Sequence, residues 1–174
     1  LVTGEPGLGK TRLVHEARRR APAGTVWLEG RCASYASSTP YGLYQQLLAN
    51  WAKVTPDQAE RVVRPALERV LATVNGRDVL PFLARMMGLP AGAALGRMSP
   101  GELHRATFTA WRTVVSRLVA AAPVVLVLED LHWADPETLT VLEYLADHAA
   151  ESALLLIVTV RAGERTTAST LVDA

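Results

Sequence analysis

Cysteine is almost missing from this chain. Cys32 is alone in 174 residues, which excludes an internal disulfide framework. Net charge is almost missing too, at +1. It points to no electrostatic partner, and no broad basic face for nucleic acid is visible. The one basic cluster, Arg18-Arg19-Arg20, falls where a helix should end, and cations favour that end of the helix dipole. Long hydrophobic runs are lacking: the longest, Leu118 to Leu128, contains Pro123 and is too short to span a bilayer. The four histidines show no metal-ligand spacing with Cys32, which reads as a small core residue. There are no internal repeats. No secretory signal opens the chain, an absence that carries little weight because the first strand reads as truncated. The expectation is a soluble, cytoplasmic protein with no membrane partner.

Apolar side chains are plentiful. Hydrophobic residues make up 49% and charged residues 20%, enough for a sizeable core and against disorder. The length fits about one domain.

The strongest local signal is Gly4-Glu5-Pro6-Gly7-Leu8-Gly9-Lys10-Thr11, which fits G-x-x-x-x-G-K-S/T. Glycines let the backbone turn tightly and bring its N–H groups to phosphate oxygens. Lys10 supplies a point charge for the outer phosphates, and Thr11 a hydroxyl for a magnesium ion. The residues from Lys10 to Arg20 read as a helix whose positive end faces the same anion. A chance glycine-rich turn would not be followed by a helix so regularly. Only Leu1-Val2-Thr3 precede the loop, so its strand is expected to be cut short and the chain to be part of a longer protein.

Further along, Thr25 to Gly30 reads as a strand, Ser34 to Pro40 as a polar loop and Tyr41 to Val54 as a helix. Thr55-Pro56 is expected to open another helix, with Val63, Leu67, Val70 and Val74 on one face, and Asn75-Gly76 to end it. An apolar helix over Val79 to Met87 and a flexible stretch from Gly88 to Gly96 follow. Ser99-Pro100 starts a long helix with Phe108, Trp111, Val115 and Leu118 as its apolar stripe. Val124-Val125-Leu126-Val127-Leu128 has no alternation, as in a strand buried on both faces of a parallel sheet. Asp135-Pro136 caps a helix carrying Leu139, Leu142, Leu145 and Ala149 to about Ala150, and Leu154 to Val160 is a second buried strand. Strands alternating with helices predict an α/β fold: a doubly wound, mostly parallel sheet with flanking helices, its first strand truncated and its last expected to be missing. A helical insertion is expected over about residues 41–122.

The strand at Val124 ends in Glu129-Asp130, and ligands of open α/β sheets bind beyond the carboxyl ends of strands. One carboxylate there can help hold magnesium and the other can orient an attacking water. The second buried strand ends in Arg161, which either reaches a terminal phosphate or is an ordinary surface arginine. In the turn after the acids, Trp133 reads as a packing anchor, His132 as a group that could orient a loop or a water, and Asp135 as a helix cap rather than an acid catalyst.

Gly4 to Leu13, Gly30-Arg31-Cys32 with Pro40-Tyr41, Leu126 to Pro136 with its Leu-His-Trp-Ala-Asp block, and Thr159-Val160-Arg161 together resemble the AAA-type ATPase domain of STAND regulators. These P-loop NTPases include large LuxR-type transcriptional activators and multidomain proteins with nucleotide cyclase domains. The resemblance implies that Gly4, Glu5, Pro6, Gly7, Leu8, Gly9, Lys10 and Thr11 bind the phosphates of ATP or ADP. It implies that Thr11, Glu129 and Asp130 serve Mg2+, that Glu129 and Asp130 are the first and second acids of the Walker B pair, and that Arg161 is the sensor arginine. The wider superfamily orders the pair aspartate then glutamate. The reversed order here puts brisk hydrolysis in doubt more than binding, and so suits a slow ATP-driven switch, with ATP favouring an open, self-associating form and ADP a closed one. Any DNA contact is expected from domains outside this segment. Two other readings compete: a working ring ATPase, with Arg85, Arg97 or Arg165 as its finger, and a non-catalytic interaction fragment. Alanine and arginine usage suggests a GC-rich bacterial genome.

Overall fold

The computed structural model describes residues 1–32, 41–55, 57–90, 92–149 and 152–162. In chain order these form β1 (Val2–Gly4), α1 (Lys10–Arg20), β2 (Val26–Arg31), α2 (Gly42–Ala52), α3 (Glu60–Ala72), α4 (Leu80–Met86), α5 (Gly92–Leu95), α6 (Pro100–Ala121), β3 (Val124–Glu129), α7 (Pro136–Ala149) and β4 (Leu154–Arg161). A turn of 3-10 helix, Leu131–Trp133, links β3 to α7. The chain forms two compact units, one of residues 1–47 and 122–174 and one of residues 48–121. The expected polar loop from Ser34 to Pro40 and Arg165 lie outside the described residues, as do Pro56 and Ala150.

The first unit is an α/β sheet. Among the described residues its four strands run in the order β1-β4-β3-β2, and the three pairings between them are parallel. The apolar run of β3 is buried along its length from Val124 to Leu128, because a central parallel strand has neighbours on both edges and cover on both faces. Register matters most at the carboxyl edge. Gly4 of β1 lies beside Arg161 of β4, and Arg31 of β2 beside Glu129 of β3. Three widely separated sequence motifs therefore meet along one rim.

Gly30 permits a close approach in this unit. A Cβ there would lie 2.8 Å from Leu43 Cδ1 and 2.9 Å from the Leu43 carbonyl oxygen, so α2 seats on β2 only over a glycine. Tyr44, fully buried, donates its hydroxyl to the Thr138 carbonyl oxygen at 2.9 Å. The arginines closing α1 are paired: Arg19 and Arg20 with Glu16, and Arg18 with Glu29.

The second unit is helical among its described residues. α6 opens with a reciprocal cap. Ser99 Oγ accepts from the Glu102 backbone N–H at 3.3 Å, while Glu102 Oε2 accepts from the Ser99 N–H at 2.8 Å, the capping-box arrangement. Three expectations are corrected here. Phe108 is half-buried with the Arg112 guanidinium 5.7 Å from its ring centre; the buried stripe of α6 is Thr107, Ala110, Trp111, Val114, Val115 and Leu118. α3 starts at Glu60, not at Thr55, because the Thr55 carbonyl closes a local turn with the Gln58 N–H. The stretch from Gly88 to Gly96, expected without secondary structure, contains α5, and at its start Gly88 takes φ 77° and the buried Leu89 donates its N–H to the Ala84 carbonyl. α3 ends at Ala72, and the expected stop at Asn75-Gly76 closes the turn after it: Asn75 adopts φ 53°, and the Gly76 N–H reaches the Leu71 carbonyl at 2.7 Å.

Candidate functional site

The candidate site occupies the carboxyl rim of the sheet in the first unit. β1 delivers Gly4, and residues 5–9 turn back to start α1. Gly7 and Gly9 have φ 84° and 88°, a left-handed backbone that side chains with a Cβ rarely adopt. A Cβ on either would meet nothing within 4 Å, so the requirement comes from conformation and not from crowding. Lys10 lies back across this loop, its Nζ donating to the carbonyl oxygens of Gly4 at 2.6 Å and Glu5 at 3.1 Å. Its charge is held over the turn where an anion would sit.

Thr11, the second residue of α1, donates its hydroxyl to Glu129 Oε1 at 3.2 Å. The other carboxylate oxygen of Glu129 accepts from Arg31 Nη2 at 2.7 Å and Nε at 3.1 Å. Arg31 Nε is also 3.5 Å from Asp130 Oδ2. The hydrogen bond to Glu129 raises the pKa of the Arg31 guanidinium above its usual value; partial burial works the other way, and the charges of Glu129 and Asp130 add to the rise.

Asp130 has φ 55°. Aspartate tolerates this left-handed geometry better than most residues, and here its backbone N–H donates to Thr159 Oγ1 at 3.0 Å. Thr159 is buried in β4, two residues before Arg161. Arg161 is exposed at the strand end, and the Ala162 N–H after it reaches the Gly4 carbonyl at 3.4 Å. The rim thus brings Gly4 to Thr11, Glu129, Asp130 and Arg161 together. Arg85 and Arg97 are exposed in the second unit.

Two residues of this network lie in stretches that carry the family resemblance, Gly30-Arg31-Cys32 and Thr159-Val160-Arg161, yet the sequence by itself assigns them no role. Arg31 gains one as the last residue of β2, once β2 is known to flank β3. Thr159 looks like one more β-branched strand residue until strand order sets it beside the turn after β3. The turn itself also differs from expectation. Leu131, buried to 1% exposure, is its packing anchor. Trp133 is 39% exposed, its ring 5.2 Å from that of His132. His132 Nδ1 is buried with no hydrogen-bond partner among the described residues. Asp135 is the expected cap: Oδ1 accepts from the Thr138 N–H at 2.9 Å and Oδ2 from the Thr138 hydroxyl at 2.6 Å. Cys32 is buried beside this turn, and burial first, then the charges of Asp135 and Asp130, push its thiol up to about 12.

The donor set suits a hard cation that a ligand brings with it. No group of three or more histidine, cysteine or acidic side chains among the described residues could hold a metal alone. Thr11 and Glu129 offer neighbouring oxygens, which fits magnesium, an ion that keeps several waters and leans on phosphate oxygens. A separate apolar hollow of about 390 Å³ opens at the amino-terminal end of β3 and β4, lined by Trp27, Pro123, Val125 and Leu155 among others. It lies away from the loop and the acids.

No helix among the described residues is long and apolar enough to cross a membrane. The family model described as "AAA ATPase domain" matches residues 1–158, a span that includes the phosphate loop, Arg31 and both acids and stops short of Thr159 and Arg161. An uncharacterized protein of Rhizobium meliloti (strain 1021) is 28% identical over 173 residues, covering 92% of this chain. The chain spans 16% of that relative's length. With nine-tenths of its residues inside the family model, the chain belongs to the AAA ATPase domain family.

Proposed function

We propose that this segment is the ATP-binding, slowly hydrolysing switch module of a multidomain signalling or transcriptional regulator of the STAND type. The observation that carries the reading is the contact of Thr11 with Glu129, which joins the phosphate loop to the acidic strand end. Lys10, now on the carbonyls of Gly4 and Glu5, has the length and charge to turn toward the outer phosphates. The N–H groups of residues 7–11 and the start of α1 receive phosphate oxygens. Thr11 and Glu129 would hold Mg2+, which when bound supplies positive charge to the phosphates. Asp130 orients the attacking water and accepts its proton, and Arg161, next to Gly4, meets the terminal phosphate.

The Glu129-Asp130 order supports a slow reaction. Asp130 has one methylene fewer than glutamate, and its backbone is held by Thr159, so its carboxylate has limited reach. A slow ATPase suits a two-state switch. Other domains of the larger protein would supply the output, including any DNA contact, and self-association would follow the ATP state.

Thermal unfolding with and without ATP and Mg2+ tests the reading. A ligand at a hundredfold its Kd stabilises the folded state by about 2.7 kcal/mol, roughly 5–10 °C for a chain of this size. Wild type should show this rise and Lys10→Ala should not. Equal behaviour of the two would remove the phosphate loop from the account. Turnover should lie well below the enzyme median of about ten per second.

A further inference from the structure

Arg31 ends β2 directly beside Glu129 in the register of the sheet. Its backbone N–H is held by Gln46 Oε1 at 3.0 Å, and its guanidinium grips Glu129 Oε2 through two nitrogens. The Glu129 side chain is 15% exposed, that of Arg31 51%. The carboxylate is therefore largely withdrawn from water and needs a positive partner, whereas the guanidinium can swing into solvent at small cost. Both carboxylate oxygens are engaged, one by Arg31 and one by Thr11. A divalent ion approaching Thr11 and Glu129 competes with the guanidinium for the same charge.

We propose that Arg31 is a tethered counter-cation of Glu129 and Asp130, displaced when a divalent ion arrives, and that it sets how strongly nucleotide binding depends on that ion. The proposal rests on the reading of the loop as a nucleotide phosphate site. Without the ion, Arg31 screens two carboxylates that would otherwise repel the phosphates. With it, the guanidinium gives up Glu129 and turns outward. Arg31 is a positioning residue: it acts through Glu129 and has no reacting atom of its own.

The test is ADP binding by the full chain, titrated in EDTA and in saturating Mg2+, for wild type, Arg31→Gln and Arg31→Lys. The quantity read is Kd in EDTA divided by Kd in Mg2+. In Arg31→Gln the exposed acids weaken binding in EDTA while the ion loses its competitor, so the ratio should rise about tenfold or more, the scale of one charge-assisted pair. Arg31→Lys keeps the charge and loses the fork, and its ratio should rise by a smaller factor. A merely structural ion pair would shift both affinities together and leave the ratio unchanged. An unchanged or lowered ratio in Arg31→Gln, with ADP still bound, overturns the proposal alone. Should Arg31→Gln not fold, Arg31→Lys decides, and a ratio equal to wild type overturns it. A wild-type chain that binds no ADP in either medium overturns the nucleotide reading, and this proposal with it.

Discussion

Thr11 donates its hydroxyl to Glu129 across 3.2 Å, although 118 positions separate them in the chain. The contact exists because β1 and β3 both flank β4 in one parallel sheet and end on the same rim. Thr11→Val keeps the shape and removes the hydroxyl. Loss of an oxygen at or next to a metal typically costs about 10- to 100-fold in metal affinity, so the Mg2+ concentration that half-saturates nucleotide binding should rise by that factor. Glu129→Gln should behave alike. A Thr11→Val titration that overlays wild type would take this contact out of the magnesium site.

Thr159 holds the turn that carries Asp130. Replacing it by valine leaves the Asp130 N–H without its acceptor, a loss of about 1–3 kcal/mol for a group withdrawn from water. Thr159→Val should lower the unfolding midpoint and reduce turnover more than nucleotide affinity, because the loop and Lys10 are untouched. Thr159→Ser restores the acceptor and should recover both. If serine fares no better than valine, the methyl group matters and the hydrogen bond does not.

Gly30→Ala should destabilise the chain by about 1–3 kcal/mol, the usual range for overpacking. The added methyl would approach the Leu43 carbonyl oxygen within 2.9 Å, and backbone yields less easily than a side-chain tip. Denaturant unfolding measures it. A midpoint equal to wild type would mean that α2 shifts freely on β2.

Alkali should weaken the fold. Burial lifts the Cys32 thiol from its usual 9.0 to about 12 and the Tyr41 phenol from 10.0 to about 12, the charges of nearby acids adding to each. Both groups are neutral in the fold and ionise more readily when it opens. The Cys32 contribution is whole below pH 9 and is lost as pH rises from 9 toward 12, at no more than about 1.4 kcal/mol per pH unit; the half-buried Tyr41 adds a smaller, solvent-screened part above pH 10. The unfolding temperature should therefore fall between pH 9 and pH 11, and less steeply in Cys32→Ala. A flat profile over that range would contradict the burial of Cys32.

The turn from Gly4 to Gly9 and the helix start at Lys10 were legible because they are local: glycine conformation, a lysine and a threonine at the start of a helix need no distant partner. The buried strand at Val124 was legible from an unbroken apolar run, and the Asp135 cap from its place before a proline; the run at Leu154 does form a strand, but Leu155 is 55% exposed and Leu156 and Ile157 are only partly buried. Trp133 misled because size suggested burial, whereas the 3-10 turn sends the smaller Leu131 inward. Phe108 misled because a stripe spaced by threes and fours fits either of two adjacent helix faces, and only packing chose the one through Thr107 and Val114.

Residue order alone determined the class of fold, the glycine turn that starts the first helix and the acids that end a strand. It did so because backbone conformation, helix caps and hydrophobic periodicity act over a few residues. Tertiary structure decided which motif faces which. Strand order β1-β4-β3-β2 and its register put Arg31 on Glu129, Thr159 under Asp130 and Arg161 beside Gly4. Those pairings join residues far apart in the chain, and it is hydrogen bonding between strands and burial of their shared faces that select them.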